Sequence, residues 1–273
     1  MRITPEKTKK QFEEHHTLGI PLTRPYFDSE EIEEIREVLD SGWVSQGPKT
    51  KEFEDAFAKY VGAKYAIAVT NCTAALHLSL LGIGIEKGDE VLVADFTHPA
   101  TGHSVLYCGA KPVFIDIDPK TYNIDPNLIE EKITEKTKAI IPVHTFGQPA
   151  DMDPIMEIAS DYGLRVIEDA ACAHGAKYKG NFAGTIGDTG CFPFHARKGM
   201  TTGEGGIVVT DNKELAEVIK VGCTPEEIRS LSVYGTVFAW DREKSDKFII
   251  PEFVKLGYNY KMSDISAAGG LFN

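Results

Sequence analysis

Between residues 65 and 221, short apolar runs rich in β-branched residues alternate regularly with longer stretches of helical pattern. Strands that alternate with helices in this way form a largely parallel sheet whose faces are covered by the helices. In such a sheet, ligands bind beyond the carboxyl ends of the strands. The seven predicted strands are Tyr65–Thr70, Glu90–Ala94, Pro112–Ile117, Ala139–Val143, Arg165–Glu168, Gly190–Phe194 and Gly206–Thr210. The sequence therefore predicts an α/β fold with about seven strands.

The helical patterns complete this alternation. Asp28 and Glu31 form a capping-box pattern that opens a helix extending to about Leu39, and a second helix covers roughly Lys49–Tyr60. Residues 18–25 predict an extended arm, and the charge-rich stretch Asp241–Lys247 predicts a surface loop. The helices predicted between or after the strands are Thr73–Leu81, Thr101–Cys108, Pro126–Ile133, Pro154–Tyr162 and Lys213–Val221.

Composition excludes several classes of protein. A net charge of −12 disfavours a nucleic-acid binder. The five cysteines are widely spaced without a C-x-x-C pair, which favours a reducing, cytoplasmic location. The charged residues 1–16 resemble neither a signal peptide nor a membrane anchor, and no apolar run reaches membrane-spanning length. Asp116 and Asp118 flank Ile117 without further ligands, so we expect no metal site.

A lysine and an aspartate follow two of the predicted strands. Lys198 lies in a Thr- and Gly-rich loop after an apolar run, where a partly desolvated amine can attack carbonyl groups. Asp169 ends the run Val166–Asp169 and can pair with a cationic ligand nitrogen. The alternatives are a solvated loop lysine and a carboxylate that caps a strand end. Because one loop and one strand separate them, both side chains can face a single cavity.

The turn Thr70–Ala75 joins the first strand to a helix. Its free backbone N–H groups, the helix dipole and the hydroxyl of Thr73 would suit a phosphate. The alternative is that Thr73 simply caps the helix. A dinucleotide fingerprint is absent from this turn, since Gly82 and Gly84 follow a helix and not a strand.

Taken together, several stretches resemble the DegT/DnrJ/EryC1/StrS family of sugar aminotransferases. The resemblance implies the large domain of a fold-type-I aminotransferase that uses pyridoxal 5'-phosphate, in a homodimer with shared active sites. It also implies a sugar nucleotide and an amino-acid donor, usually glutamate, as substrates. The matching stretches are Ser41–Gly47, Thr73–His77, Val143–His144, Phe146–Asp151, Val166–Ala171, His195–Gly206 and Gly257–Asp264.

The resemblance also assigns roles to residues. Lys198 corresponds to the lysine that binds the cofactor covalently, and Asp169 to the carboxylate that keeps the pyridine nitrogen protonated. His98 corresponds to the aromatic position that stacks on the cofactor ring. Cys72 and Thr73 correspond to the turn that binds the cofactor phosphate.

One further position and two departures concern the same cofactor. Asn259 resembles a phosphate ligand donated by the neighbouring subunit. Pro193 stands where the family commonly has a serine that binds the phosphate, so this ligand is absent. Cys172 stands near the cofactor where many members have glutamine, and a thiol is a weaker hydrogen-bond partner.

The resemblance divides the chain into an N-terminal arm (1–24), a cofactor-binding large domain (25–250) and the start of a connection to a small domain (251–273). Because family members continue into that small domain, we expect a fragment or truncated product that dimerises poorly and binds the cofactor weakly. The leading hypothesis is an aminotransferase acting on a nucleotide-linked keto sugar. The alternative is a non-catalytic or regulatory protein of the same fold. The keto position and the nucleotide carrier stay open.

Overall fold

The computed structural model describes residues 23–221 and 257–271. Of the predicted N-terminal arm, only residues 23 and 24 are described. The predicted loop Asp241–Lys247 and Cys223 lie outside the described residues. The helices are α1 (Ser29–Ser41), α2 (Pro48–Val61), α3 (Cys72–Gly82), α4 (Pro99–Tyr107), α5 (Met152–Tyr162), α6 (Lys213–Val221) and α7 (Asp264–Ala268). The strands are β1 (Tyr65–Val69), β2 (Glu90–Ala94), β3 (Lys111–Ile115), β4 (Thr137–Ile141), β5 (Arg165–Asp169), β6 (Lys177–Tyr178), β7 (Asn181–Phe182), β8 (Thr189–Pro193) and β9 (Gly206–Thr210).

Seven strands form one sheet in the order β1-β9-β8-β5-β4-β2-β3. The five strands from β8 to β3 pair in parallel, whereas β9 runs antiparallel to both β1 and β8. Every residue of β2, β8 and β9 is buried, as expected for strands covered on both faces by helices. The mostly parallel α/β fold predicted from the alternation is confirmed.

Apart from one stretch, the predicted helix ends lie within two residues of the observed ones. The capping box of α1 is present, since the backbone N–H of Asp28 donates to Glu31 Oε2 at 2.7 Å and the Asp28 side chain accepts from Glu30 N–H. The predicted helix Pro126–Ile133 is wrong in type. Two short 3₁₀ turns, Pro126–Leu128 and Glu130–Lys132, occupy this stretch. Each is only three residues long, which is typical of 3₁₀ structure used as a connector.

The chain order places the loop that carries Lys198. Residues 194–205 connect β8 to its antiparallel neighbour β9, so this loop lies beyond the carboxyl end of β8. Asp169 ends β5, which is the parallel neighbour of β8. The two residues therefore follow adjacent strands at the same edge of the sheet.

Candidate active site

Lys198 lies on a loop that closes back on its own start. Phe194 N–H donates to Gly205 O at 2.8 Å, and Thr202 N–H donates to Phe194 O at 3.0 Å. Lys198 is half-buried, and its Nζ donates to Cys172 Sγ at 3.4 Å. The loop thus holds a primary amine against a thiol at the carboxyl edge of the sheet.

Asp169 is a buried carboxylate with two hydrogen bonds. It is 4% exposed, its Oδ2 accepts from Thr101 Oγ1 at 2.8 Å, and its Oδ1 accepts from Ala171 N–H at 3.1 Å. Burial raises the pKa of Asp169 above its usual range, while these hydrogen bonds and the charge of Lys198 oppose that rise. A cationic ligand group beside Asp169 would stabilise its charged form in the same way.

Thr101 is a site residue that the sequence did not single out. It is fully buried on α4, and its Oγ1 lies 2.8 Å from Thr97 Oγ1. Because Thr101 donates its proton to Asp169, the hydroxyl of Thr97 donates to Thr101. The sequence could have indicated Thr101 by its position, because it lies three residues after His98 on the first turn of a helix that follows a strand.

The predicted phosphate turn is present, but its cap differs from the expected one. Asn71 caps α3, with its Oδ1 accepting from Ala74 N–H at 2.8 Å, so the alternative that Thr73 caps the helix is wrong. The N–H groups of Cys72 and Thr73 precede the first intrahelical bonds and are available to an anion. Burial, and then the charge of Asp169, raises the pKa of the Cys72 thiol well above its usual range. Asn is a better cap than Thr because its amide oxygen reaches the third N–H readily.

The start of β9 packs directly on this turn. A Cβ at Gly206 would lie 2.4 Å from the backbone carbon of Asn71, so only glycine fits there. Pro193, at the end of β8, is paired with Gly206 and buried. The side chain at this position therefore offers no hydrogen-bond donor beside the turn.

His98 and Asn259 are both exposed. His98 caps α4, with Nδ1 accepting from Ala100 N–H at 3.2 Å. Tyr260, next to Asn259, accepts a hydrogen bond of 2.9 Å from Thr70 N–H, which places this segment beside the phosphate turn. Stacking by His98 and phosphate binding by Asn259 across a dimer stay predictions.

A buried network holds the strand ends that carry the site. Glu168 is fully buried, and its Oε2 lies 2.8 Å from His144 Nε2. His144 Nδ1 accepts from Ala150 N–H at 3.0 Å, so Nε2 carries the proton and donates to Glu168. The remaining acceptor positions of Glu168 are filled by three backbone N–H groups, from Gly184, Ile186 and Gly187. This network fixes β5 immediately before Asp169.

His174 packs beneath the lysine loop. Its ring centroid lies 5.6 Å from that of Phe192 and 5.8 Å from that of Phe194. Burial lowers the pKa of His174 to about 4, so the ring is neutral at pH 7.

The profile of the DegT/DnrJ/EryC1/StrS aminotransferase family matches residues 25–273. The chain belongs to this family. The spore coat polysaccharide biosynthesis protein SpsC of Bacillus subtilis is 46% identical over 253 residues, covering 92% of this chain and 63% of SpsC. The chain thus spans somewhat less than two thirds of this relative's length.

Two solved structures share this fold. DesI, crystallised with its TDP-sugar product, is 34% identical with a TM-score of 0.76, covering 91% of this chain and 58% of DesI. Spr1654 of Streptococcus pneumoniae, in its PLP form, is 33% identical with a TM-score of 0.79. The match covers 93% of this chain and 65% of Spr1654. The predicted fold-type-I aminotransferase architecture is therefore confirmed.

Residues 23–221 and 257–271 contain no helix long and apolar enough to cross a membrane. The same residues contain no group of three or more side chains arranged to bind a metal ion.

Proposed function

We propose that this chain is the large part of a pyridoxal-phosphate-dependent aminotransferase that acts on a nucleotide-linked keto sugar, with glutamate as the amino donor. The observation that carries the proposal is the pair formed by Lys198, in the loop after β8, and buried Asp169, at the end of the adjacent strand β5. An amine and a buried carboxylate at one sheet edge fit a cofactor that has both a carbonyl group and a ring nitrogen.

Each residue has a role that follows from its chemistry. Lys198 would hold the cofactor through Nζ, and Asp169 would pair with the protonated ring nitrogen. The free N–H groups of Cys72 and Thr73 at the start of α3 would hold the phosphate. When bound, the cofactor supplies the electron sink for the reaction.

Lys198 serves in proton transfer as well as in binding. Its Nζ is a primary amine, which can accept and return a proton once it is free. Cys172 Sγ lies 3.4 Å from Nζ and restricts where that amine can point. Thr101 keeps Asp169 directed into the site through its 2.8 Å hydrogen bond.

The substrate assignment rests on relatives. DesI was solved with a TDP-sugar product, and SpsC is named for polysaccharide biosynthesis. We infer that this chain takes a sugar nucleotide and supplies an amino sugar for a surface polysaccharide or a secondary metabolite. We further propose a cytoplasmic homodimer in which Asn259 completes the partner's phosphate site.

The first test is covalent labelling of Lys198 by the cofactor. Pyridoxal phosphate added to the protein and reduced with borohydride should become fixed to Lys198, as located by peptide mass spectrometry. Lys198→Ala should lose this label, while Lys87→Ala, which removes an exposed lysine elsewhere, should keep it. Labelling of Lys198→Ala at the level of the unaltered protein would contradict the assignment.

A second candidate is a cofactor-binding protein without turnover. Pro193 and Cys172 favour it, because both replace the stronger hydrogen-bonding residues expected beside the cofactor. Incubation of the loaded protein with glutamate distinguishes the two. Release of one 2-oxoglutarate per bound cofactor supports the aminotransferase, and its absence in a protein that is labelled at Lys198 supports the second candidate.

A further inference from the structure

Three exposed aromatic side chains form a cluster at the carboxyl edge of the sheet. Phe96, Tyr122 and Phe146, the aromatic trio, are 44%, 47% and 75% exposed. Their ring centroids are 5.6 Å apart for Phe96 and Tyr122, 6.0 Å for Phe96 and Phe146, and 6.4 Å for Tyr122 and Phe146. Three rings in mutual contact, each with a face or edge in solvent, make a small apolar platform.

The trio is continuous with the candidate active site. Phe96 follows β2, Tyr122 lies beyond β3, and Phe146 follows β4, which is the neighbour of the strand that ends at Asp169. Gly147, beside Phe146, approaches the Cys172 carbonyl so closely that a Cβ would lie 2.9 Å from that oxygen. Since the Cys172 thiol contacts Lys198, one connected surface leads from the trio to the lysine.

Two members of the trio have an unfavourable backbone conformation. Tyr122 has φ 59° and Phe146 has φ 55°, in the left-handed region that bulky residues rarely adopt. Strained non-glycine residues persist where the surrounding structure enforces them, and they cluster at ligand sites.

One buried side chain enforces this conformation. Asn123 is 2% exposed, and its Nδ2 donates to the carbonyls of Gln148 and Pro149, each at 3.1 Å. Its Oδ1 accepts from Thr145 N–H at 2.9 Å. These three bonds tie the turn carrying Tyr122 to both sides of Phe146. The trio is therefore preorganised, although its three side chains stay exposed.

We propose that the aromatic trio is the platform on which the nucleobase of the sugar nucleotide stacks. This inference rests on the proposed function and deepens it. Every nucleobase has an aromatic face, and stacking on aromatic side chains contributes to binding without discriminating between the bases. The diphosphate is the less suitable occupant, because the exposed neighbour Asp95 is an acid.

A second protein chain also suits this surface less well than a base does. A stable protein interface covers about 800 Å² per partner. One aromatic side chain buries at most about 250 Å², and these three are already partly covered by one another. Taken alone, the trio matches the area of a ring system and is too small to be a subunit interface.

The test uses nucleoside diphosphates without the sugar, so that it does not depend on turnover. Binding of dTDP, UDP and GDP is measured by calorimetry for the full chain and for Phe146→Gly. Glycine tolerates the left-handed backbone, so this variant removes the ring without adding strain. We expect Kd for the preferred nucleotide to rise about tenfold or more, and Phe96→Leu to act in the same direction.

Lys179→Gly is the matched control. Lys179 is an exposed residue with φ 49° in the turn between β6 and β7, so its replacement relieves the same kind of backbone conformation away from the trio. We expect it to leave nucleotide affinity unchanged. Inorganic pyrophosphate should bind the unaltered protein and Phe146→Gly alike.

Several outcomes would overturn the proposal. These are an unchanged Kd in Phe146→Gly, no binding of any of the three nucleotides by the unaltered protein, and an equal loss in the Lys179→Gly control. A lower association state of Phe146→Gly in sedimentation, with unchanged nucleotide affinity, would assign the trio to a subunit contact instead. Borohydride labelling of Lys198 separates the two proposals. Labelling of Lys198 without nucleotide binding contradicts only the proposed nucleobase platform. Nucleotide binding without labelling of Lys198 contradicts only the proposed aminotransferase function.

Discussion

Thr101 donates a hydrogen bond of 2.8 Å to Oδ2 of Asp169, and both side chains are buried. Because Thr97 in turn donates to Thr101, the carboxylate is held at the end of a chain of hydroxyl groups that starts in the loop after β2. Asp169 is thereby oriented by a residue on a neighbouring element, and not only by its own strand. This arrangement suits a carboxylate that must stay charged although burial raises its pKa.

Thr101→Val should weaken cofactor binding. Valine has nearly the same shape but no hydroxyl, so Asp169 loses a hydrogen bond and the pKa of its carboxyl group rises further. A hydrogen bond to a charged group is worth about 1.5–3 kcal/mol, which corresponds to roughly ten- to a hundredfold in the Kd for pyridoxal phosphate. Absorbance titration measures it. Thr101→Ser keeps the hydroxyl and should bind nearly normally; equal affinities of the two variants would contradict the role given to Thr101.

Much of the fold could be predicted because the ends of the strands are clearly marked in the sequence. Glu90–Ala94 and Gly206–Thr210 are predicted with the observed ends, since turn-forming or polar residues bound each apolar run. The stretch Pro126–Ile133 was mispredicted because a proline start and apolar spacing suit both an α-helix and successive 3₁₀ turns. Periodicity does not separate these over so few residues.

The site was predicted less completely, for a physical reason. Lys198 and Asp169 follow strands, and adjacency in a parallel sheet brings strand ends together. The contacts of Thr101 and Asn123, in contrast, depend on how α4 and the loops pack across that edge, which local pattern does not encode. The cap at Asn71 was missed because Asn and Thr are both good caps two residues apart.

Glu168→Gln should destabilise the fold. Glu168 is fully buried and accepts four hydrogen bonds, from His144 and three backbone N–H groups. The glutamine amide replaces an acceptor with a donor, so at least one of these N–H groups is left facing another N–H. We expect the free energy of unfolding to fall by about 3 kcal/mol.

Urea denaturation at pH 7 measures this change. Glu157→Gln, at an exposed position of α5, is the control and should stay within about 0.5 kcal/mol of the unaltered protein. If Glu168→Gln matched that control, the buried network would not be what holds β5 in place.

Glu54 gives the chain a pH-dependent stability away from the active site. It lies on α2, is 5% exposed, and its Oε1 accepts from Ala68 N–H at 3.0 Å on β1. Burial raises the pKa of Glu54 to about 7, although Ala68 and the charges of Lys220 and Lys51 lower it. The folded protein therefore retains a proton that the unfolded chain has already released at pH 6.

The sign of the effect follows from this raised pKa. The contribution of Glu54 is fully present below its unfolded pKa of 4.5 and is lost as the pH rises towards about 7. Glu54→Gln cannot titrate and keeps an oxygen for Ala68 N–H. Its free energy of unfolding relative to the unaltered protein should therefore grow by about 3 kcal/mol between pH 4 and pH 8.5.

Denaturant titrations of both proteins at several pH values measure this difference. Because the two proteins are compared at each pH, the pH dependence due to other groups cancels. Glu52→Gln, at an exposed position of the same helix, should show little change with pH. A Glu54→Gln difference that stays constant across this range would mean that Glu54 is charged in the folded protein at pH 6.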